Sequence, residues 1–279
     1  MGALSAFGRP GGAEMTSELT LEPREGSGAR PLQVPFHAVT VAAKLALFPL
    51  LIAQGRRVRA TALKLPEAAG ERQGVVGAGR VGLRVLIVGD SSAAGVGVGT
   101  QDEAFAGQLA QALAARTGAA VGWQLVATSG HTARDAARAL AATTLAPADL
   151  LVTAVGVNDV VSQTRPAQFL RDIDEIHALA VTRAQVTHSW HCGLPPMGIF
   201  PLLPQPLRWL LGRDAAHLDA ALLQHLAGQT ARLHLPLPEA PRMPGKNDLT
   251  PEGWMARDGF HPGLLGYRQW GRQVAEALG

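Results

Sequence analysis

From residue 83 to the C-terminus, short continuous apolar runs alternate with longer stretches whose apolar residues recur every three or four positions. "LRVLIVGD" (83–90) has the unbroken apolarity of a strand covered on both faces. "DEAFAGQLAQALAARTG" (102–118) follows with helical spacing and ends at Gly118, which suits a left-handed C-terminal cap. The same alternation predicts strands in "AVGWQLVATSG" (120–130), "ADLLVTAVGVND" (148–159), "AQVTHSW" (184–190) and "ARLHLPL" (231–237). Helices are predicted in "TARDAARALAATTL" (132–145), "PAQFLRDIDEIHALAVTR" (166–183), "GRDAAHLDAALLQHLAGQT" (212–230) and "HPGLLGYRQWGRQVAEAL" (261–278). Five strand–helix alternations predict an α/β fold, a five-stranded parallel sheet with helices on both faces. Ligands of such sheets lie at the carboxyl ends of the strands. Polar residues just after a strand are therefore the first candidates for chemistry.

The segments outside this alternation divide the rest of the chain. Residues 1–35 are rich in Gly, Pro, Glu and Ser without periodicity and read as a flexible leader. Residues 36–82 form an N-terminal extension with an apolar stretch from Ala38 to Ala53, interrupted by Lys44 and Pro49. A spanning helix needs about 20 apolar residues, and no cleavage site follows, so the stretch is neither a good membrane span nor a signal peptide. It reads as a helix packed on the body, with peripheral membrane contact through residues 38–53 as the second reading. The expected location is cytoplasmic, with membrane association if that second reading holds; Arg56, Arg57 and Arg59 would stay on the cytoplasmic side. "GLPPMGIFPLLPQPLRWLLG" (193–212) is long for a connection. It offers Met197, Phe200 and Trp209 as a wall for an apolar substrate group, or else packs into the core against the 38–53 segment.

Composition narrows the function classes. With 279 residues and 47% hydrophobic composition the chain can bury a substantial core. The net charge of +3 comes mainly from scattered arginines, the lysines being Lys44, Lys64 and Lys246. No basic stripe with interleaved aromatics points to nucleic acid. Cys192 is the single cysteine, which excludes an intrachain disulfide and paired-thiolate metal sites. It reads as a small hydrophobe near a strand end, the alternative being a nucleophile beside His188 and His191.

Three strand ends and one distant loop carry candidate chemistry: Gly89-Asp90-Ser91, Ser129-Gly130-His131, Gly156-Val157-Asn158-Asp159, and Asp258 three residues before His261. Singly, each is explained by a cap, a turn or a loop closure. Together they supply a hydroxyl nucleophile, a base and a carboxylate to orient it, in the order Ser91, His261, Asp258. The backbone N–H groups of Ser91 and Gly130 and the Asn158 amide would serve as donors for an oxyanion. Glycine at 130 is expected to permit a close backbone approach.

These four blocks, in their order and separations, resemble those of the SGNH or GDSL-type serine hydrolases, over roughly residues 83–279. The resemblance implies a three-layer α/β/α, flavodoxin-like domain. It also implies a Ser91–His261–Asp258 triad, an oxyanion hole of Ser91, Gly130 and Asn158, and no cofactor or metal. The activity implied is hydrolysis of a small acyl ester through an acyl-serine intermediate. An acyltransferase with the same triad and a deacetylase of O-acetylated carbohydrate are the alternatives. Ser92 stands where the family motif has leucine, which makes it a decoy beside Ser91.

Two further motifs compete. Gly77, Gly79 and Gly82 match the G-x-G-x-x-G dinucleotide fingerprint, which must follow a strand and open a helix. Here no strand is predicted before it and a strand follows, so it reads as a lead-in to the first strand. Gly95, Gly97 and Gly99 lack the Lys-Ser/Thr of a phosphate loop and read as a pliable loop beside the substrate. His188 and His191 lack carboxylate or thiolate partners at a spacing suited to metal.

Overall fold

The computed structural model describes residues 36–239 and 252–278, with side chains placed from residue 46 onward. The expected leader, residues 1–35, lies outside the described residues. The helix α1 (Phe36–Thr61) precedes a six-stranded sheet: β1 (Gln73–Val76), β2 (Val81–Gly89), β3 (Ala120–Ala127), β4 (Leu150–Ala154), β5 (His188–Cys192) and β6 (Arg232–Leu235). Its order is β1-β3-β2-β4-β5-β6. From β2 onward all pairs are parallel, while β1 runs antiparallel along β3. The expected five parallel strands are therefore present, and a sixth caps the edge of β3. Its four residues alternate between exposed and half-buried, a pattern too short to stand out in the sequence.

Without β1 the strand order is that of the flavodoxin-like doubly wound folds, whose switch point lies where the winding reverses. β2 is the strand at that point, flanked by β3 on one side and β4 on the other. The helices α2 (Phe105–Thr117), α3 (Ala133–Ala142), α4 (Val157–Val161), α5 (Pro166–Ala184), α6 (Leu207–Leu226) and α7 (Leu264–Glu276) make the outer layers. Successive side chains of a strand point to opposite faces, and both faces here are covered. Val85 and Ile87 join Phe105, Leu109, Tyr267 and Trp270 in one core. Leu86 and Val88 join Leu140, Phe169, Ile173 and Leu218 in the other. This double burial explains the unbroken apolar run that marked β2.

Local chemistry sets several helix ends. Thr132 caps α3 through a reciprocal capping box with Asp135, and Gly118 closes α2 with φ 67°. α6 begins at Leu207, five residues before its predicted start, because Leu207, Leu210 and Leu211 bury an apolar face that the Pro-rich stretch obscured. The 193–206 connection holds a short 3-10 turn at Met197–Ile199 and packs Met197, Phe200 and Leu203 into the core.

α1 lies along the body through one face. Leu47, Leu51, Gln54 and Val58 are half-buried at the spacing of one helix face, and Leu51 and Val58 pack against the α3/α5/α6 core. Gln54 bridges that face to the body, donating to the Gln205 carbonyl at 2.7 Å and accepting from the Leu207 N–H at 3.2 Å. Phe48 and Ile52, one turn apart, remain exposed on one flank with Arg56 and Arg59, while Leu50 and Arg57 are exposed on the other. Among the described residues no helix is long and apolar enough to cross a membrane.

The glycine motifs resolve as structure. Gly77 and Gly79 turn the chain from β1 into β2, so the fingerprint does follow a short strand but leads into another strand instead of a helix. The Gly95–Gly97 segment is a packed turn, not a pliable loop. Val96 donates to the Ser91 carbonyl, the fully buried Tyr267 hydroxyl donates to the Val96 carbonyl at 2.7 Å, and a Cβ on Gly97 would lie 2.4 Å from the Pro262 carbonyl.

Candidate active site

Ser91 leaves the end of β2 at the switch point, one residue after the buried Asp90. The turn is tight there: a Cβ on Gly89 would sit 2.3 Å from the Ala93 Cβ and 2.7 Å from the Ala154 carbonyl. Asp90 sorts the two serines. Its Oδ1 accepts from the Ser92 N–H at 2.9 Å and from the Ser92 hydroxyl at 2.8 Å. Burial pushes the Asp90 carboxyl up, with the Ser92 bonds opposing it. The Ser92 hydroxyl is thereby turned inward, while the Ser91 Oγ meets the His261 Nε2 at 2.9 Å.

His261 and Asp258 come from the loop before α7, and the chain brings them to Ser91 from 170 residues away. The Asp258 Oδ2 lies 2.6 Å from the His261 Nδ1, and its Oδ1 accepts the backbone N–H of Phe260 at 3.0 Å and of His261 at 3.1 Å. Burial raises the Asp258 carboxyl, but the bonds from the His261 ring and the two N–H groups outweigh it and hold the group below the usual carboxylate range. An ionised Asp258 keeps the ring proton on Nδ1 and leaves the Nε2 lone pair facing Ser91, the arrangement that lets imidazole act as a base.

The three expected oxyanion donors stand on neighbouring strand ends: Ser91 after β2, Gly130 after β3 and Asn158 after β4. Among the described residues neither the Ser91 nor the Gly130 backbone N–H donates a hydrogen bond. Asn158 commits one Nδ2 proton to the His131 carbonyl at 2.9 Å, which fixes the amide and leaves its second N–H for a ligand oxygen. Gly130 has φ 87°, and a Cβ there would meet nothing within 4 Å. Glycine is thus required by the left-handed backbone, not by a close approach of protein atoms. Asp159, next to Asn158, is fully buried and accepts the first N–H of α3 at 2.8 Å, tying the β4 and β3 ends together. Burial raises its carboxyl to about 6. Replacing Asn158 by Ala is expected to lower kcat about 10²-fold or more, the usual cost of one lost oxyanion donor; steady-state kinetics on a nitrophenyl ester check this, and an unchanged kcat would remove Asn158 from the site.

The expected substrate wall is only partly at the surface. Met197 is fully buried in the core and cannot line a substrate path. Phe200 is buried too, packed edge-on against Phe260 at 5.0 Å, which in turn lies 5.1 Å from the His261 ring. Trp209 is 40% exposed, and lines a groove on α6 with Leu194, Pro195 and Pro196. The apolar neighbours of the triad are therefore Phe260 directly and Phe200 behind it. Phe260 sits inside the Asp258–His261 motif, where a single aromatic residue carries no sequence signal of its own.

The remaining candidates separate from the site. His188 is exposed, whereas His191 is fully buried with its Nδ1 on the Thr153 hydroxyl at 2.9 Å; burial and the neighbouring Arg232 lower it to about 3. Among the described residues no group of three or more His, Cys, Asp or Glu side chains converges as for a metal ion. Cys192 is buried and burial pushes its thiol up to about 12, which leaves it unreactive as a nucleophile.

Comparison with known proteins extends this picture. A family model described as the GDSL-like lipase/acylhydrolase family matches residues 87–269. A GDSL-like esterase of Mycobacterium tuberculosis is 26% identical over 187 residues, which cover 66% of this chain and 58% of that protein's length. A lipolytic protein of the G-D-S-L family from Desulfitobacterium hafniense superposes with a TM-score of 0.52 at 16% identity, covering 70% of this chain and 98% of its own. An acetylxylan esterase from Geobacillus stearothermophilus, solved as a catalytic mutant, gives 0.50 at 16% identity over 73% and 96%. At these identities the two structures speak for the fold.

Proposed function

Starting from the chain's membership of the GDSL-like lipase/acylhydrolase family, we propose that it is a serine hydrolase that cleaves carboxylic esters through an acyl-Ser91 intermediate. The observation that carries this reading is the continuous chain from Ser91 Oγ through the His261 ring to Asp258, with contacts of 2.9 and 2.6 Å.

In the first half-reaction His261 Nε2 takes the Ser91 proton as Oγ attacks the ester carbonyl carbon. The carbonyl oxygen becomes an oxyanion and is received by the N–H groups of Ser91, Gly130 and Asn158. Collapse breaks the bond to the leaving oxygen, which departs as an alcohol with the proton held on Nε2. Water then attacks the acyl-serine, gives its proton to Nε2, and the acid leaves as Ser91 recovers its hydrogen. Asp258 stabilises the imidazolium in both halves without taking its proton. A series of p-nitrophenyl esters from acetate to decanoate tests the reading. Turnover of at least one member, with the free acid as product, is expected; no turnover across the series would overturn it. Ester products on addition of alcohol acceptors would instead mark a transferase.

The open face of α1 supports a partner as well. Its exposed Phe48 and Ile52, one turn apart, with the exposed Arg56 and Arg59 on the same flank, fit an anionic lipid surface that takes the apolar residues at the headgroup boundary. The full chain is expected to co-sediment with vesicles containing phosphatidylglycerol and to lose most of that binding when Phe48 and Ile52 are both changed to serine. A chain that stays in the supernatant at low salt would defeat this assignment.

A further inference from the structure

The segment between α1 and β1 lies outside the residues matched by the family model, yet it touches both loops that carry backbone oxyanion donors. On the β3 side, the Glu67 Oε1 accepts the Ser129 N–H at 2.7 Å, one residue before Gly130. Its Oε2 pairs with Arg72 at 2.5 Å. The other Arg72 nitrogen donates to the Ala127 carbonyl at 2.7 Å, the last residue of β3. Arg72 is itself held at the sheet edge, where its carbonyl accepts the Leu125 N–H at 2.7 Å as β1 begins.

On the β2 side, Ala68 donates to the Ala94 carbonyl, and Ala69 pairs with the 99–101 backbone in both directions. The buried Gln101 amide then clamps the two strands of chain together, donating to the Ala68 carbonyl at 3.0 Å and the Ala94 carbonyl at 3.1 Å. One short stretch thus anchors the turn after the nucleophile and the turn that presents Gly130. The Thr128–Gly130 turn is otherwise exposed, and a Cβ at Gly130 would find no neighbour within 4 Å. Glu67 holds the N–H of the peptide immediately before the Gly130 N–H, and the His131 N–H holds that peptide's carbonyl, on Thr128, at 3.2 Å.

We propose that Glu67, supported by Arg72, is a positioning residue that holds the Ser129–Gly130 turn so that the Gly130 N–H stays aimed at the oxyanion formed at Ser91. The assignment rests on the reading of Ser91 as nucleophile. A half-buried carboxylate is suited to the task because it can accept the Ser129 N–H and the guanidinium at once, through charge-assisted bonds. Burial raises its carboxyl, and the bonds from Ser129 and Arg72 more than offset that, so it remains ionised when the site is working. A donor that is misaimed but still present costs less than one removed. The loss is therefore expected to fall at or below the range of about 10²–10³-fold for a deleted oxyanion donor.

The test compares Glu67→Ala, Glu67→Gln and Arg72→Gln with the wild-type full chain on a nitrophenyl ester, together with deuterium exchange of the peptide covering Leu125–Ala133. Glu67→Ala is expected to lower kcat about tenfold or more, to leave KM within about twofold, and to speed exchange in the Ser129–Gly130 turn. Glu67→Gln keeps an acceptor for Ser129 and is expected to recover most of kcat and of the protection. Arg72→Gln, which releases the carboxylate from the other side, should lie between the two and serves if Glu67→Ala does not fold. Unchanged kcat in Glu67→Ala, a loss confined to KM, or no recovery in Glu67→Gln would overturn the assignment. Measuring Ser91→Ala alongside separates the two readings: if it hydrolyses the ester as well as wild type, the serine mechanism itself has failed, independently of Glu67.

Discussion

Ser91→Ala is expected to lower kcat for ester hydrolysis by roughly 10⁴-fold or more, with the fold retained. The side chain is half-buried at the surface of the site and belongs to neither core, so its removal leaves packing intact. What it removes is the hydroxyl that meets His261 Nε2. The residual rate would come from oxyanion donors and substrate binding alone, which in triad enzymes leaves about 10³–10⁴-fold over water. Ser92 cannot take over, because its hydroxyl is engaged by the buried Asp90. Ser92→Ala in the same assay should therefore stay within a few-fold of wild type. Circular dichroism and thermal melting of both variants verify that the comparison is between folded proteins.

Asp258→Asn is expected to cost nearly as much, on the order of 10⁴-fold in kcat, without removing any group that touches the ester. Asp258 accepts three hydrogen bonds, one from the ring and two from the backbone of its own loop. An asparagine can present an N–H to Nδ1, which drives the ring proton to Nε2 and turns a base into a donor toward Ser91. The substitution also carries a pH signature. The Asp258 carboxyl lies below its ordinary value in the folded chain, so it contributes stability at pH above the unfolded value, and that contribution is lost as pH falls through the folded one. The stability gap between wild type and Asp258→Asn should shrink on acidification. Denaturant melts at neutral and acidic pH measure it, and a constant gap would mean that the carboxylate is not held ionised by its neighbours.

Most of the candidate site was legible because it sits where a parallel sheet places the polar residues at its strand ends. β2 announced itself through residues buried on both faces, and its end had to carry Asp90 and Ser91 to the switch point. Gly130 and Asn158 followed from the ends of β3 and β4, the strands flanking β2. What stayed hidden depends on contacts between segments distant in the chain. The strand β1 is four residues long with weak alternation, and its partner lies nearly 50 residues away, so neither propensity nor period marks it. Glu67 and Arg72 look like ordinary surface charges in "KLPEAAGERQG", and only the closing of that edge sets them beside Ser129 and Ala127. Met197 is ambiguous in the sequence: an apolar residue in a Pro-rich connection suits a substrate wall and a core equally well, and in the fold it is fully buried in one core with Leu207 and Leu211.

Covalent labelling is the sharpest check on Ser91 as the nucleophile of an acyl-transfer site. A fluorophosphonate phosphonylates a serine, with fluoride leaving, only where a base and an oxyanion hole activate it, so its site of attachment reports the whole constellation. Peptide mass spectrometry of the labelled wild-type chain is expected to find one adduct, on Ser91, and none in Ser91→Ala. An unlabelled wild-type protein, or an adduct on Ser92 or another residue with Ser91 unmodified, would contradict the account.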